Sequence, residues 1–329
     1  MLLPHLISPL AIAPMIDWTY MHFRVFMRIL APHVLLYTEM QTIGAIRHQP
    51  ERALAFDAIE LPALALQVGG ADPVALAEVA QQAEAMGYAE INLNLGCPSD
   101  KVQAGRFGAC LMREPDLVAA CIAEMKQAVS IPVTAKTRIG IEKQDDYVSF
   151  AAFVERLIDA GCDKLIVHAR KAWLNGLNPK QNRTIPPIQY DYVYRIKHQL
   201  LEIPVVINGH IQTVEAMFDH LEHVDGVMVG RLACHDPYAI GRMHHSLYPS
   251  TPLMTRAEAL RSYIAYLQSK SLNHTSTALI LKPIFNLAHA LPGARAWKAK
   301  LMSMKQSDDF LLLLDAAEIL AEMEERFSC

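Results

Sequence analysis

The sequence lacks any cysteine spacing typical of a metal site or a disulfide framework. No two cysteines form a C-x-x-C pair and the six thiols show no paired pattern, so we expect neither a zinc knuckle nor a secreted disulfide scaffold. The chain is therefore predicted to work in a reducing cytosol, without a structural metal. The cysteines are Cys97, Cys110, Cys121, Cys162, Cys234 and Cys329.

The first residues lack the features of a secretion signal and of a membrane span. The segment MLLPHLISPLAIAPMID has no lysine or arginine and is interrupted by Pro4, Pro9 and Pro14. A signal peptide begins with basic residues, and a spanning helix needs about 20 consecutive apolar residues. We expect neither, and instead predict a cytoplasmic protein with no membrane association, whose first strand lies in this segment.

Charged residues are scarce and apolar residues abundant, which excludes an intrinsically disordered chain. Of the 329 residues, 19% are charged and 52% are hydrophobic, enough for a substantial core.

The net charge of −4 hides an uneven distribution of charge along the chain. Residues 256–305 carry eight basic residues and one acid, whereas residues 306–329 carry seven acids and one arginine. This contrast indicates either an anion-binding surface beside a solvated helix or two oppositely charged helices packed together.

Short apolar segments recur along the chain, and amphipathic helical patterns such as residues 72–87 and 114–129 lie between several of them. Nearly continuous apolar strands indicate burial on both faces, as in a parallel sheet. Eight such units over about 245 residues match a (β/α)₈ barrel, whereas a doubly wound sheet usually has fewer strands. The predicted strands lie in residues 9–15, 33–40, 62–68, 90–96, 132–138, 164–170, 204–210 and 226–231.

The strand pattern stops near residue 250, and only helical patterns follow, including residues 256–270 and 308–327. We therefore predict an α/β protein in which a (β/α)₈ TIM barrel, residues 1–248, is followed by a small all-helical domain, residues 249–329. A long polar insertion, residues 171–190, follows the sixth strand. Loops of this kind often carry function.

Polar groups occur at the C-terminal ends of nearly all the predicted strands. Active sites of such barrels lie at this end, where a barrel built only for stability would not need polar groups. Any single residue could be a structural hydrogen-bonding group, but together they predict one cavity. The residues at these strand ends are Met15, Asp17, Glu39, Gln67, Asn94, Cys97, Lys136, Arg138, His168, Arg170, Asn208, Gly209, Gly230 and Arg231.

Glycines end the seventh and eighth strands, in the sequences Asn208-Gly209 and Gly230-Arg231. Glycine lets backbone N–H groups approach a phosphate, and the arginine adds charge-assisted hydrogen bonds. Glycine also ends strands for reasons of turn geometry alone. Because the last two strands of these barrels often form a phosphate site, the pattern predicts a ligand that carries a phosphate.

Cys97 follows the fourth strand in the sequence NLNLGCPSD, while Lys136 and His168 lie on the next two strands. The lysine could form a Schiff base, as in an aldolase, or donate a hydrogen bond to an electron-rich ring. Hydride reduction of a polarised C=C bond needs an acid beside it, and a thiol with a pKa near ~8.5 could serve. An isolated cysteine, however, is more often a small buried apolar residue.

Several motifs together resemble those of the tRNA-dihydrouridine synthases. The resemblance covers the predicted barrel and extends into the helical domain. The GCPS sequence with its downstream GRFGACLM is specific, and the insertion HARKAW and the segment PGAR are similar to the A-type bacterial subgroup, associated with uridines 20 and 20a of the tRNA D-loop. The motifs are APMIDWT (13–19), YTEM (37–40), LQVGG (66–70), INLNLGCPSDKVQAGRFGACLM (91–112), KTRIGI (136–141), HARKAWLNGL (168–177), ING (207–209), VGR (229–231) and PGARAW (292–297).

The resemblance implies a flavoenzyme that binds FMN in the barrel mouth, is reduced by NADPH and passes hydride to C6 of a uracil, with Cys97 protonating C5. It implies a large RNA partner, so we expect a monomer without a protein partner. His210 stands where the subgroup usually has glycine. The residues implied for FMN are Pro14, Met15, Ile16, Gln67, Lys136, His168, Asn208, Gly209, His210, Gly230 and Arg231. Those implied for the uridine or the tRNA are Asn94, Arg138, Arg170, Asn182, Arg183, Arg295 and Lys298.

Three other functions are compatible with parts of this pattern. A flavin enzyme of the dihydropyrimidine or dihydroorotate type would share the barrel, the FMN and the cysteine but act on free bases, leaving the basic helical segment without a role. An aldolase-like lyase would use Lys136 as an imine nucleophile and would be colourless. A tRNA-binding protein without catalysis would not need Cys97 beside a full set of FMN residues.

Overall fold

A computed structural model describes residues 8–273 and 275–326 of the chain. These fold into two compact units. The barrel unit comprises residues 8–19 and 35–230, and the helical unit comprises residues 20–34 with everything described from residue 231 onward. This division differs from the predicted boundary at residue 248, because an early helix and the helices after the last strand belong to the helical unit. The start of the N-terminal segment, with Pro4, and the final cysteine, Cys329, lie outside the described residues.

The barrel unit contains a closed parallel barrel of eight strands, as the apolar segments predict. Neighbouring strands pair in parallel in the order β2-β1-β9-β8-β7-β6-β5-β4, and pairing of β2 with β4 closes the ring. The short β3, which no pattern predicted, pairs with the far end of β4. The strands are β1 Leu10–Ile12, β2 Leu35–Tyr37, β3 Gln41–Thr42, β4 Leu64–Gly69, β5 Glu90–Leu95, β6 Val133–Arg138, β7 Lys164–His168, β8 Val205–Asn208 and β9 Gly226–Val229.

Helices follow most strands, and their ends agree with local capping chemistry. In α4, Asp72 accepts a hydrogen bond from the Ala75 backbone, proline occupies the first turn, and Gly87 ends the helix with a positive φ of 90°. The helices are α1 Met21–Leu30, α2 Ile43–His48, α3 Pro50–Ala53, α4 Pro73–Met86, α5 Asp100–Ala104, α6 Pro115–Ala128, α7 Tyr147–Asp159, α8 Tyr190–Gln199, α9 Val214–Leu221, α10 Arg231–His235, α11 Pro237–Leu247, α12 Arg256–Gln268, α13 Thr277–Leu281, α14 Ala294–Met302 and α15 Phe310–Glu325. Three short 3₁₀ turns, Ala58–Glu60, Gly108–Arg113 and Gln181–Arg183, complete the described elements.

The barrel core is apolar in one cluster and polar beside it. Side chains of alternate strand residues fill the interior, as expected where the inward-facing residues of a small barrel form a packed core. The apolar cluster comprises Ala11, Ala13, Leu35, Tyr37, Ala65, Ile166, Val206 and Met228, with Met15 and Ala63 packed against it.

The helical unit gathers α1 and α10 to α15. Phe26 of α1 packs edge-on against Tyr263 of α12, with ring centroids 5.3 Å apart, and His22 hydrogen-bonds to Tyr266 at 2.8 Å. Trp297 of α14 is fully buried and donates to the Ala316 carbonyl of α15 at 3.0 Å. Among the residues described in both units, no helix combines the length and apolarity needed to cross a bilayer.

Opposite charges hold α15 against its neighbours. Arg256 pairs with Glu324 at 3.3 Å, Arg261 pairs with Glu318 at 2.9 Å, and Lys300 pairs with Asp315. Three of the eight basic residues in the 256–305 segment therefore neutralise the acidic helix that follows. For these residues the charge contrast in the sequence reflects oppositely charged helices packed together.

Candidate active site

The registers of β5 to β8 place the predicted catalytic strand ends side by side. Asn94 lies opposite Lys136, Arg138 lies opposite His168, and His168 lies opposite Asn208. All eight barrel strands are parallel, so these residues share the C-terminal end of the barrel. One end of the barrel thus collects an amine, an imidazole, a guanidinium and two amides.

The turn that carries Cys97 is held by the side chain of Asn94. The Asn94 Oδ1 atom accepts hydrogen bonds from the backbone N–H groups of Gly96 at 3.2 Å and Cys97 at 3.0 Å. Cys97 itself is partly exposed, and its Sγ atom lies 3.7 Å from the Ser99 hydroxyl. A fixed backbone and a partly open thiol are the arrangement needed to present Cys97 to a ligand.

The downstream GRFG sequence packs against this turn. The Ala109 backbone N–H donates to the Cys97 carbonyl at 2.9 Å. Gly108 has a φ of 76°, and a Cβ there would lie only 2.6 Å from the same carbonyl. A Cβ on Gly105 would collide with the Phe107 ring at 2.2 Å. These contacts explain why GCPS and GRFG occur as one motif: the second segment forms the support of the first.

The other described cysteines differ from Cys97 in their surroundings. Cys121, Cys162 and Cys234 are buried, and burial raises the pKa of the first two to about 12. Cys110 is partly exposed, but burial raises its thiol pKa and its sulfur donates to the Phe107 carbonyl at 3.2 Å. All five described thiols are free.

Lys136 is a partly buried amine with a pKa near neutral pH. Burial, followed by repulsion from Arg138, lowers its pKa from 10.5 to about 7, although interaction with Cys97 opposes the shift. Its Nζ group donates a hydrogen bond to the Asn208 Oδ1 atom at a long 3.3 Å. An ammonium group has three N–H donors, so Lys136 retains donor capacity for a ligand.

Arg138 is buried and joins the Cys97 turn to the polar insertion. Its guanidinium donates to the carbonyls of Gly96 at 2.8 Å, Lys171 at 2.9 Å and Asn182 at 3.0 Å. Burial lowers its pKa to about 10, with nearby Arg183 adding to this effect and Cys97 opposing it. Arg138 thus hydrogen-bonds within the protein, and its binding of the uridine or the tRNA stays a prediction.

The insertion itself is organised around Asn182. This side chain is fully buried, donates to the carbonyls of Trp173 at 2.8 Å and Leu177 at 3.0 Å, and accepts from the Trp173 backbone. Arg170 is also buried and donates to the Pro186 carbonyl. Both residues therefore shape the insertion, and their contact with the uridine or the tRNA stays a prediction, whereas Arg183 is exposed on it.

The turn after β8 has an unusual backbone. Gly209 has a φ of 136°, a value that only glycine adopts readily, and its carbonyl accepts from the Tyr190 hydroxyl at 2.6 Å. His210 follows with a φ of 56° and an exposed side chain. Left-handed backbone at this position explains why glycine would be the usual residue there. Histidine is one of the side chains that tolerate it.

The remaining predicted flavin residues occupy the ends of β1, β4 and β9. Pro14 and Met15 are half-buried, and Ile16 is 53% exposed, which is high for an isoleucine. Gln67 is buried, with its amide directed into the barrel. Gly230 ends the barrel unit, while Arg231 begins α10 and belongs to the helical unit.

The two predicted tRNA residues of the helical unit lie on α14. Arg295 is exposed in its first turn. Lys298 is half-buried, donates to the Asn286 Oδ1 atom at 2.6 Å and lies 5.2 Å above the Phe285 ring. The first side chain is open to solvent, and the second is partly committed within the unit.

Sequence reasoning overlooked Gln103. Its Nε2 group donates to the Pro98 carbonyl at 3.0 Å and to the Leu174 carbonyl at 2.8 Å, so one amide connects the Cys97 segment with the insertion. The residue lies inside the most specific motif, between GCPS and GRFG. That position was the only available indication of its role.

Comparisons with known proteins agree with the fold and the motifs. A sequence model of the family "Dihydrouridine synthase (Dus)" matches residues 11–324. A curated relative named tRNA-dihydrouridine(20/20a) synthase, from Xanthomonas campestris pv. campestris, is 50% identical over 290 residues, covering 88% of this chain and 86% of its own. Proteins of the same name from Shewanella oneidensis and from a Synechocystis species are 48% and 46% identical, over 88% and 95% of this chain and 86% and 93% of theirs. The chain therefore belongs to the dihydrouridine synthase family of flavin-dependent oxidoreductases.

Proposed function

We propose that this protein reduces the C5=C6 bond of uridines 20 and 20a in the D-loop of tRNA to 5,6-dihydrouridine, using FMN and NADPH, with Cys97 as the proton donor. The names of the curated relatives support the substrate and the positions. The observation that carries the chemistry is the partly exposed Cys97 thiol on a backbone held by Asn94. We further propose a cytoplasmic monomer in which residues 1–248 carry the chemistry and residues 249–329 contact tRNA.

The residues at the C-terminal end of the barrel fit a flavin mononucleotide. Lys136 has N–H donors to spare for an electron-rich ring, and its Nζ group hydrogen-bonds to Asn208 of β8. Gln67 lies on β4 and His168 ends β7 of the same parallel barrel. Gly230 has an ordinary backbone conformation, and a Cβ there would meet only Ala13 and Met15, at a comfortable 3.6 Å. Within the part of the chain that the structure describes, no group requires glycine at this position, so the space suits close approach of a ligand. The proposed FMN contacts are Pro14, Met15, Ile16, Gln67, Lys136, His168, Asn208, Gly209, His210, Gly230 and Arg231.

When bound, FMN supplies the hydride that C6 of the uracil accepts. The protein must then hold the uracil and protonate C5, the other carbon of the former double bond. The S–H bond of Cys97 breaks, its proton bonds to C5, and a thiolate remains. Arg138 attracts that thiolate, since Cys97 and the cation interact favourably. Asn94 keeps the turn in place and would contact the uracil or its ribose.

The uracil must leave the folded tRNA to reach this site, at a cost on the order of a few kcal/mol. Contacts with the rest of the RNA have to offset that cost. Arg183 on the insertion and Arg295 on α14 are exposed cations suited to phosphate contacts, with Lys298 near the latter. A reductase of free pyrimidines would not need them, which favours tRNA as the substrate.

The lowered pKa of Lys136 is also a property of lysines that form Schiff bases. This observation alone would favour an aldolase-like lyase. Membership of a flavin-dependent oxidoreductase family argues against that alternative. A near-neutral lysine is equally suited to donating a hydrogen bond to a ring nitrogen or oxygen.

Replacement of Cys97 by alanine tests the proposal. Cys97→Ala should retain the yellow flavin and its reduction by NADPH but lose at least ~100-fold in dihydrouridine formation, the usual range for a general acid. Cys110→Ala, which removes the other partly exposed thiol of the described residues, is the matched control and should remain active. Normal product formation by Cys97→Ala would disprove the proton-donor role.

A further inference from the structure

A continuous chain of buried hydrogen bonds runs through the barrel to the Cys97 turn. It begins at Glu90, whose carboxylate pairs with Lys164 and accepts the Tyr37 hydroxyl at 2.5 Å. The members between Glu90 and the turn are at most 9% exposed. Its successive bonds are Thr134 Oγ1 to Glu90 Oε1 at 2.9 Å, Asn92 Nδ2 to Thr134 Oγ1 at 2.8 Å, Gln67 Nε2 to Asn92 Oδ1 at 2.8 Å, and Asn94 Nδ2 to Gln67 Oε1 at 2.9 Å.

Both ends of the chain permit only one direction of donation. At the Glu90 end the carboxylate pairs with Lys164 and accepts, and burial together with Glu90 raises the pKa of Tyr37, so the phenol keeps its proton and donates. At the other end, the backbone N–H groups of Gly96 and Cys97 can only donate. Each amide between these ends must therefore present oxygen toward Cys97 and nitrogen toward Glu90.

We propose that Glu90 is a positioning residue for Cys97. Through Thr134, Asn92 and Gln67, its carboxylate sets the orientation of the Asn94 amide, which in turn fixes the backbone beneath the thiol. A buried amide that reversed its orientation would set donors against donors, and an unsatisfied buried polar group costs about 1–3 kcal/mol. The turn thus depends on a residue at the opposite end of β5.

The same orientation determines what the chain offers a ligand. The Gln67 and Asn94 side chains have already used their oxygens as acceptors within the chain. Each NH₂ group retains a second N–H, and because the Asn94 oxygen already accepts two hydrogen bonds, the free capacity of the Asn94 amide is as a donor. A ligand that hydrogen-bonds to the Asn94 amide must present an oxygen or an unprotonated nitrogen.

The test breaks the chain at Thr134, far from the thiol. Thr134→Val has the same shape but no hydroxyl, whereas Thr134→Ser keeps it. Thr137→Val is the matched control, because Thr137 is fully buried on the same strand but hydrogen-bonds outside the chain. Amide hydrogen exchange of the full-length protein as purified, resolved by residue, reports on the Gly96 and Cys97 N–H groups directly.

We expect Thr134→Val to accelerate exchange at these two amides at least tenfold, with Thr134→Ser and Thr137→Val within twofold of wild type. If Thr134→Val does not fold, Asn92→Leu removes the next bond and carries the same expectation. Unchanged exchange in Thr134→Val, equal acceleration in Thr137→Val, or acceleration spread evenly over all barrel strands would each overturn the inference.

The consequence for catalysis rests on the proposed function. Thr134→Val should reduce the rate at which tRNA reoxidises the reduced flavin at least tenfold, while reduction by NADPH changes less than twofold, and Thr134→Ser should restore the rate. If exchange accelerates as expected but tRNA turnover is unaffected, the positioning chain stands and the role of Cys97 as proton donor fails. The two proposals can therefore fail separately.

Discussion

Single residues determine the chemistry through their surroundings. Lys136 illustrates this, because a lysine in water is protonated at neutral pH, whereas burial and the neighbouring Arg138 bring this one to a pKa of about 7. At pH 7 the amine is thus divided between its neutral and charged forms. The residue type was predictable from the strand-end pattern, but its electrostatic state depends on neighbours that only the barrel closure brings together.

The depressed pKa of Lys136 predicts a pH-dependent contribution to stability. Between pH 7 and about 10, the unfolded chain binds a proton at this lysine that the folded chain does not, so folding becomes more favourable as pH rises. Below pH 7 the folded state carries the full cost of a buried charge. In flavin-free protein, Lys136→Met should therefore raise Tm most near pH 6, and the gain should shrink by pH 9.

Thermal unfolding of wild type and Lys136→Met at pH 6, 7, 8 and 9 would measure this difference. Lys143→Met, which makes the same replacement at an exposed lysine of the same unit, is a suitable control. A Tm difference that stays constant or grows with pH for Lys136→Met would show that the pKa of Lys136 is not lowered toward 7.

Motif position alone does not show which hydrogen bonds a polar side chain makes within the protein. Arg138, Arg170 and Asn182 are expected from the resemblance to bind the uridine or the tRNA, and this role stays a prediction; the structure buries all three and uses their side chains to join loops. A sequence does not show which way a polar side chain points. By contrast, Glu90 and Asn92 alternate with apolar residues along β5, a period-two pattern that places them on the inward face with Asn94. The pattern was visible, but not its connection to Cys97.

At the scale of elements, the eight barrel strands were predictable because each is a short apolar run. The strand that was not predicted, β3, has two residues. It pairs with the same edge of β4 as β2 does, further along that strand. Between them the Thr38 hydroxyl accepts the Gln67 backbone N–H at 3.1 Å, a bond that strand pairing would otherwise supply. A side-chain hydrogen bond that takes the place of a backbone one leaves no periodic pattern in the sequence. The predicted second strand, residues 33–40, therefore continued through the break.

The basic segment before α15 contains two kinds of cation. Lys300 pairs with Asp315 and belongs to the packing of α14 on α15, whereas Arg295 is exposed on the same helix. Charge counts along the sequence cannot separate these roles, because pairing depends on which helix faces meet. Only exposed cations such as Arg295 should release counterions from the RNA when tRNA binds.

Salt dependence should distinguish Arg295 from Lys300. A cation that contacts phosphate contributes roughly 0.7–0.9 to the slope of log affinity against log salt. Arg295→Ala should therefore weaken tRNA binding and lower the slope by about one, whereas Lys300→Ala should leave the slope nearly unchanged. Affinities measured between about 50 and 200 mM salt provide the comparison. Equal slopes for Arg295→Ala and wild type would exclude a phosphate contact at Arg295.

At the scale of the whole molecule, the sequence indicated a barrel followed by helices, but the boundary depends on contacts distant in the chain. Tyr20 donates to the Leu279 carbonyl at 2.9 Å across 259 residues, and α1 packs on α12. Residues 20–34 thus belong to the helical unit although they lie between the first two strands. No local pattern in α1 reveals that its partners come from the other end of the sequence.

The most direct test of the central claim asks which pyrimidine the reduced protein will accept. The purified protein is reduced anaerobically with NADPH and mixed with tRNA that lacks dihydrouridine, or with free uracil at the same concentration, while the oxidised-flavin absorbance is followed. Reoxidation by tRNA should be at least ~100-fold faster, because remote RNA contacts provide the energy to extrude and hold the base. Equally fast reoxidation by free uracil, or none by tRNA, would contradict a tRNA-dihydrouridine synthase.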